Sequence, residues 1–431
     1  MNILLAVILI ASFVALLVYL LRGGNLIVGF FLIAILWCVV AGMNPKEIQT
    51  LFNDRILNSG GTVFAIIFGS WFGRVLVDTE IVSTLIKKTV ELGGDRPKVT
   101  IILLTIVSAA IFSSVYGIGV AMAVGLITLP IMFSLGVPKP LAVTTFCLSH
   151  AAGMMVNPNP FSQLQVYYPD IVYQGTYFNF GLTALGITIA VSIVMVIIRM
   201  RKGKVQHAWA AQAPGQTTGA RKMFFLAYLT PILPVVFVAF LSWEIVPSLI
   251  ASIVITIILT GEILKPKQCL ELLLRTLRDG MSDIAILIGV MTMIWVYAAA
   301  AKECAPILDP IISPLLPKSA LVMAVAVGLL APLGLFRGPL TLSGIGSAVV
   351  AILSATAANV LYPYTFTAML TWVPWITMTF GTCPTQSTNA WLLSYTKLNV
   401  KEHMKSILPW TWLIAIILSV VMYFFFGNLS V

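Results

Sequence analysis

The chain has 431 residues, of which 59% are hydrophobic and 9% charged, with a mean hydropathy of +1.02. Soluble chains carry roughly a quarter charged residues, so the composition excludes a soluble domain and indicates an all-α, multi-pass membrane protein surrounded by the lipid bilayer. The formal charge of +10 resides in short loops between apolar runs, which is an orientation signal rather than a nucleic-acid footprint.

In chain order, runs of about 20 residues, long enough to span, fall near 2–21, 25–43, 60–77, 178–198, 223–241, 245–263, 283–301 and 407–426. Segment 2–21 has no basic n-region and no small-residue cleavage site, so it is expected to be a retained helix. Residues 79–94 and 303–317 look like amphipathic or Pro-broken interfacial arms. Residues 99–135 are interrupted at Ser113-Ser114-Val115-Tyr116-Gly117-Ile118-Gly119, and 320–356 at Phe336-Arg337-Gly338-Pro339-Leu340-Thr341. Arms of about 15 residues are marginal for a full span. Each pair is expected to be a re-entrant hairpin; the alternative is two short spans with a tight loop. Residues 140–169 are broken by Asn157-Pro158-Asn159-Pro160, and 366–396 by the stretch from Cys383 to Asn389. Proline removes a donor and clashes with the preceding turn, so these read as split helices.

Each half therefore runs as three helices, an arm, a hairpin, a split helix and a last helix. Residues 1–198 form the first repeat, 199–222 a linker and 223–431 the second. The linker holds Arg199, Arg201, Lys202, Lys204, Arg221 and Lys222. Segments 87–98, 262–280 and 397–405 are also basic, whereas 168–178, 242–246 and 358–365 have no lysine or arginine. Placing every basic segment in the cytoplasm forces the halves into opposite orientations. The first hairpin then opens from the cytoplasm and the second from outside.

Paired Gly/Pro interruptions in two apolar halves point to the midplane binding site of a secondary transporter. The four breaks bring Ser113, Ser114, Tyr116, Asn157, Asn159, Ser162 and Gln163 together with Arg337, Thr341, Ser343, Thr382, Thr385, Gln386, Ser387, Thr388 and Asn389. Half-helix N-termini offer free N–H groups, side-chain hydroxyls and amides add neutral donors, and exposed carbonyls can hold Na⁺. The set suits a small oxygen-rich anion. For any single Ser or Thr the competing reading is a bond back to its own helix.

Arg337 lies about 16 residues, or about 24 Å of helix, from either end of its apolar segment. That is beyond snorkelling reach, and a guanidinium in the bilayer usually lines a polar path; its planar fork fits a carboxylate. The alternative is a short loop outside the membrane. Arg74 is expected to snorkel from the cytoplasmic end of its helix. His150, about two turns before the Asn157 break, is either a proton carrier or a hydrogen-bonded structural histidine. Ser114, Asn157 and Thr385 are the further candidates for coupling-ion contacts. No Asp or Glu lies in the spans or at the breaks apart from Glu262, at the end of the run 245–263, and Asp283, which is expected at a cytoplasmic helix start. That weighs against an antiporter. Five cysteines without a C-x-x-C pair, and three scattered histidines, give no disulfide framework and no metal site. No phosphate-cradling loop is present, and no cofactor is expected beyond a coupling H⁺ or Na⁺.

Over nearly its whole length the chain resembles the gluconate permease family of the ion-transporter superfamily, which is related to citrate and dicarboxylate carriers. The resemblance rests on Gly60-Gly61-Thr62 with Gly69, Gly73 and Asp78, and on Val115-Tyr116-Gly117-Ile118-Gly119. It rests further on Ser149-His150 before the Asn157 break, on Arg337 followed by Gly346-Ser347-Ala348, and on Thr388-Asn389-Ala390-Trp391. It implies uptake of sugar acids and related carboxylates with proton coupling, by two hairpins moving as an elevator-type transport domain. Gly117 stands where that family has glutamate, which shifts weight to Na⁺ coupling or to a proton on His150. The expected protein is a bacterial-type inner-membrane importer of a small organic anion, assembled as a homodimer. Alternatives are the membrane subunit of a binding-protein-dependent carrier and a membrane-embedded enzyme, for which no nucleophile, base or metal constellation is visible.

The charge pattern makes a topological prediction. A cysteine placed at Ala211 resists a membrane-impermeant thiol reagent in intact cells, whereas one at Gly175 is labelled. The reverse pattern contradicts the opposed orientation of the halves.

Overall fold

The computed structural model describes residues 2–94, 96–201, 224–355 and 362–427. Most of the expected linker, 199–222, lies outside these residues. The first half begins with α1 (Asn2–Leu21), α2 (Leu26–Val40), α3 (Pro45–Asn58), α4 (Gly60–Asp78) and the short arm α5 (Ile81–Gly93). The chain is then interrupted between α6 (Pro97–Phe112) and α7 (Ile118–Ser134). It is interrupted again between α8 (Lys139–Met154) and α9 (Pro158–Gln165), and ends the half in α10 (Thr176–Arg201).

The second half starts with a 3₁₀ helix, Phe225–Ile232, that runs into α11 (Leu233–Phe240), followed by α12 (Ile245–Leu259) and the long α13 (Pro266–Glu303). After α14 (Ala305–Ile312) come α15 (Ala320–Leu330), a 3₁₀ turn over Ala331–Arg337, and α16 (Gly346–Ala355). The last elements are α17 (Tyr364–Pro374), α18 (Ser387–Thr396) and α19 (Val400–Phe426). Between α17 and α18, residues Trp375–Phe380 form a π-helical stretch, a form that recurs at functional sites.

Among the described residues six helical stretches are long and apolar enough to cross a membrane: Leu4–Leu21, Pro45–Asp78, Thr176–Met200, Pro266–Glu303, Ala320–Arg337 and Val400–Phe426. Three expected spans are shorter than predicted. The run at 25–43 contracts to α2, capped by Asn25. The run at 245–263 contracts to α12. The run at 223–241 is half 3₁₀, because Pro231 and Pro234 interrupt the α-helical ladder. An unexpected helix, α3, precedes α4. Its start carries a capping box, with the Asn44 side chain accepting from the Glu47 backbone and the Glu47 carboxylate accepting from the Asn44 N–H, and Pro45 occupies the first turn.

The largest correction concerns α13. The helix was expected to begin at Asp283 but begins at Pro266, so Asp283 lies near its middle. Charged residues in the amphipathic first half hid its continuity, because that half carries Lys267, Glu271, Arg275, Arg278 and Asp279.

The helices gather into two packed sets. In one, α13 packs along α4, α2 and α3, with α12 on α4 and α1 on α2. In the other, α6 packs on α8 and α5, α8 on α10, and α10 on α19, which also holds α15 and α17. The sets meet where α16 lies on α13 and where α7 and α9 lie on α4. Glycine permits the closest approach in the second set: a Cβ at Gly153 of α8 would come within 2.5 Å of the Ala109 carbonyl of α6. The α4–α13 pair is held by polar contacts. Ser70 donates to the Gly280 carbonyl at 2.9 Å, the Trp71 indole donates to Thr276 at 3.1 Å, and Arg275 pairs with Asp78 at 2.9 Å.

Candidate functional site

The expected first hairpin tip is residues 113–117. Its backbone leaves the helix and frees carbonyls, which buried structure must satisfy. Asn157, at the break between α8 and α9, does this. Its amide donates to the Phe112 carbonyl at 2.8 Å and to the Val115 carbonyl at 2.9 Å. Its oxygen caps α9 by accepting from the Asn159 N–H at 2.9 Å. Asn389 does related work in the second half, donating to the Cys383 carbonyl at 3.1 Å and to those of Thr379 and Phe380 at 3.4 Å. Gln386 caps α18 by accepting from the Asn389 N–H at 3.0 Å.

The second hairpin tip is more strained. Phe336 and Arg337 are both left-handed, at φ 53° and 65°, a conformation costing roughly 1–3 kcal/mol each in a side-chain-bearing residue and concentrated at ligand clamps. The tip is held by four bonds. The Phe336 N–H donates to the Cys383 thiol at 3.2 Å, and the Ile345 N–H to the Arg337 carbonyl at 3.0 Å. The Trp375 indole donates to the Ser343 hydroxyl at 2.9 Å, and the Thr341 and Thr379 hydroxyls bond at 2.8 Å. The π-helical stretch between α17 and α18 supplies both Trp375 and Thr379.

Between the two tips lies a cavity of about 70 Å³, lined from the first half by Tyr116, Gly117, Ile118, His150 and Met154. Arg337, Ser343, Thr379, Phe380, Gln386, Ser387 and Thr388 line it from the second half, with Asp283, Ile284, Leu287 and Met291 of α13. Ser387 is exposed, so this wall opens at the protein surface. The half-buried Arg337 donates from Nη1 to the Ser343 carbonyl at 2.7 Å, and no carboxylate pairs with it among the described residues. Tyr116 accepts at its hydroxyl from Gln163 at 3.0 Å.

The expected site residues thus divide. Tyr116, His150, Arg337, Gln386, Ser387 and Thr388 line the cavity. Asn157 and Asn389 hold the breaks beside it. Asn159 donates to the Asn157 oxygen at 3.2 Å and packs on Gly69 of α4. The Ser113 hydroxyl bonds back to the Ala110 carbonyl at 2.7 Å, as the competing reading for a hairpin serine supposes. The Ser114 hydroxyl is buried with no hydrogen-bond partner among the described residues. Thr341 is buried against Thr379, behind the cavity wall. Thr385 is exposed and bonds the Cys383 thiol at 3.1 Å. The His150 ring lies between Phe112, at 4.4 Å, and Phe380, at 5.4 Å, and its Nδ1 is buried without a partner among the described residues. No group of three or more His, Cys, Asp or Glu side chains able to hold a metal ion occurs among the described residues.

Arg74 does not snorkel. Its Nε and Nη2 both reach Asp283 at 2.6 Å, a bidentate pair across α4 and α13. The first hairpin rests on it: a Cβ at Gly119 would lie 2.0 Å from Asp283 Oδ2 and 2.3 Å from Arg74 Nη2. Gly117 has φ +110°, and a Cβ there would stand 2.9 Å from the Ser70 hydroxyl. A side chain at this position would be strained in this backbone conformation. Asp283 was the residue missed, and a signal for it existed. It and Arg74 are opposite charges in the third expected span of each half, and a charge in apolar surroundings needs a partner.

A larger cleft of about 890 Å³ runs along α3 beside the C-terminal end of α13. Lys46, Arg55 and Lys302 there are balanced by Glu47, Asp54 and Glu303, and no residue of the four breaks lines it. The smaller cavity, lined by three of the four breaks, is the candidate site.

No protein-family model matches the sequence, and no curated protein matches it. Among solved structures the fold is similar to that of the Alcanivorax borkumensis YdaH transporter, whose topology is described as unusual. The TM-score is 0.64 at 12% identity, over 92% of this chain and 97% of that one. At this identity the likeness is one of fold: an all-helical, multi-pass membrane architecture.

The asparagine clamp makes a stability prediction. Asn157→Asp keeps the size and the cap but removes both donors to the hairpin tip, and each buried acceptor left unpaired costs about 1–3 kcal/mol. Its thermal midpoint in detergent falls well below that of Ser113→Ala, which loses only a bond to its own turn. Equal midpoints contradict the clamp.

Proposed function

We propose that the chain is a secondary active transporter importing a small organic anion, driven by H⁺ or Na⁺. The observation that carries this reading is Arg337. A half-buried guanidinium, on a strained hairpin tip, faces a cavity lined by three of the four helix breaks and has no carboxylate partner among the described residues. Leaving such a charge uncompensated is costly, and a bound carboxylate compensates it with the bidentate geometry guanidinium favours. Hydroxyl and amide groups of Thr388, Ser387 and Gln386 surround the remaining space.

In this reading the two hairpins are re-entrant and open from opposite faces, the halves are inverted repeats, and the helix set carrying the breaks moves past the α4–α13 pair as an elevator. The fold likeness to a transporter supports that class of activity, and the resemblance to gluconate permeases favours a sugar acid or related carboxylate and symport. The proposed setting is a homodimer in the bacterial inner membrane. Coupling through Na⁺ draws support from the buried, unpartnered Ser114 hydroxyl at the first tip, and proton coupling from His150 in the cavity wall.

Uptake and binding test Arg337 directly. Arg337→Ala weakens affinity for the transported acid about ten- to a hundredfold, the value of a charge-assisted hydrogen bond. Arg337→Lys recovers only part of this, because ammonium lacks the planar fork. If the alanine variant is less stable without ligand yet binds the acid normally, Arg337 serves only to shape the tip.

A further inference from the structure

Resting on the reading of this cavity as an organic-anion site, we infer that it selects acids with one carboxylate over acids with two, and that Asp283 sets this selectivity. The formal charges at the cavity are few. Arg337 contributes one positive charge with no carboxylate partner among the described residues. Asp283 lines the same cavity from α13, and its negative charge is matched by Arg74 through two bonds of 2.6 Å. The surplus is one positive charge, which a monoanion neutralises. A dianion leaves one negative charge over, in a space of about 70 Å³ whose α13 wall carries a carboxylate. A second carboxylate is therefore held in the same space as that of Asp283. Like charges at such range in a poorly polarisable interior repel strongly.

Asp283 is also fixed in place. Arg74 grips it bidentately, and the Gly119 backbone of the first hairpin closes on the pair so tightly that a single Cβ would overlap Oδ2. The carboxylate therefore cannot swing aside for a second acid group. Asp283 acts here as a barrier, while Arg337 supplies the attraction, and specificity commonly combines the two.

The test uses pairs of acids that share a carbon count and differ by one carboxylate: butyrate with succinate, and gluconate with glucarate. Binding to the purified full chain is followed by thermal stabilisation and by inhibition of uptake in proteoliposomes. The wild type prefers the monoacid of each pair. Asp283→Asn leaves two uncompensated guanidiniums and moves the diacid-to-monoacid affinity ratio toward the diacid by about tenfold or more. Arg74→Gln combined with Asp283→Asn restores a single surplus charge and returns the ratio toward the wild-type value, which a purely structural role for the pair does not explain. Should Asp283→Asn fail to fold, Arg74→Gln carries the test: it unmasks Asp283 and weakens the diacid more than the monoacid. A wild type that binds these acids, but whose ratio is unmoved by the charge changes or favours the diacid, overturns the inference and leaves the transport reading standing. A wild type that binds neither member of either pair removes the organic-anion reading and this inference with it.

Discussion

Wherever the backbone leaves a helix inside this protein, its freed carbonyls need donors, and that requirement shapes the centre of the fold. Asn157 gives both its amide hydrogens to the first hairpin tip while its oxygen starts the next helix. In the second half the work is shared: Asn389 and Gln386 hold the break, and Cys383, Trp375 and Thr379 hold the hairpin. Because each break is tied to its neighbouring hairpin, irregular segments from both halves of the chain meet around one small cavity. The strained Arg337 tip persists because these bonds over-determine it.

This division explains why polar residues at the breaks are unequal. An asparagine whose donors and acceptor are all engaged with backbone has little left for a ligand. Residues one turn away, or on the facing tip, can present free polar groups to the cavity. The candidate site is thus a lining carried on a clamp, with Arg337 and the start of α18 as lining and the two asparagines as clamp.

Much of this was legible in the sequence. The glycines, prolines and asparagines that interrupt apolar runs marked the breaks, since few other reasons exist for Asn-Pro-Asn-Pro in an apolar stretch. Arg337 stood out because a lone guanidinium far from both ends of an apolar segment has no surface to reach. What stayed hidden was of two kinds. Hydroxyl side chains carry no mark of direction, so nothing separated Ser387, in the cavity wall, from Ser113, bonded to its own turn. Long-range pairing was also hidden. Asp283 looked like the cytoplasmic start of a span, because the helix before it is amphipathic and reads as loop by hydropathy. Its partner Arg74 lies 209 residues away, and α3 was missed because its polar face resembles a connecting loop.

The central claim is that organic anions occupy the space between the hairpin tips beside Arg337. Ser387 is exposed, lines that space and starts α18, and the chain's five cysteines are all buried. A Ser387→Cys variant therefore offers one accessible thiol at the site over a low background. Its alkylation rate, measured against increasing concentrations of an acid that stabilises the protein, should fall with the same concentration dependence as binding, and that protection should be lost when Arg337 is also changed to alanine. If the acid binds while the thiol at 387 reacts at an unchanged rate, the anion sits elsewhere and the account is wrong.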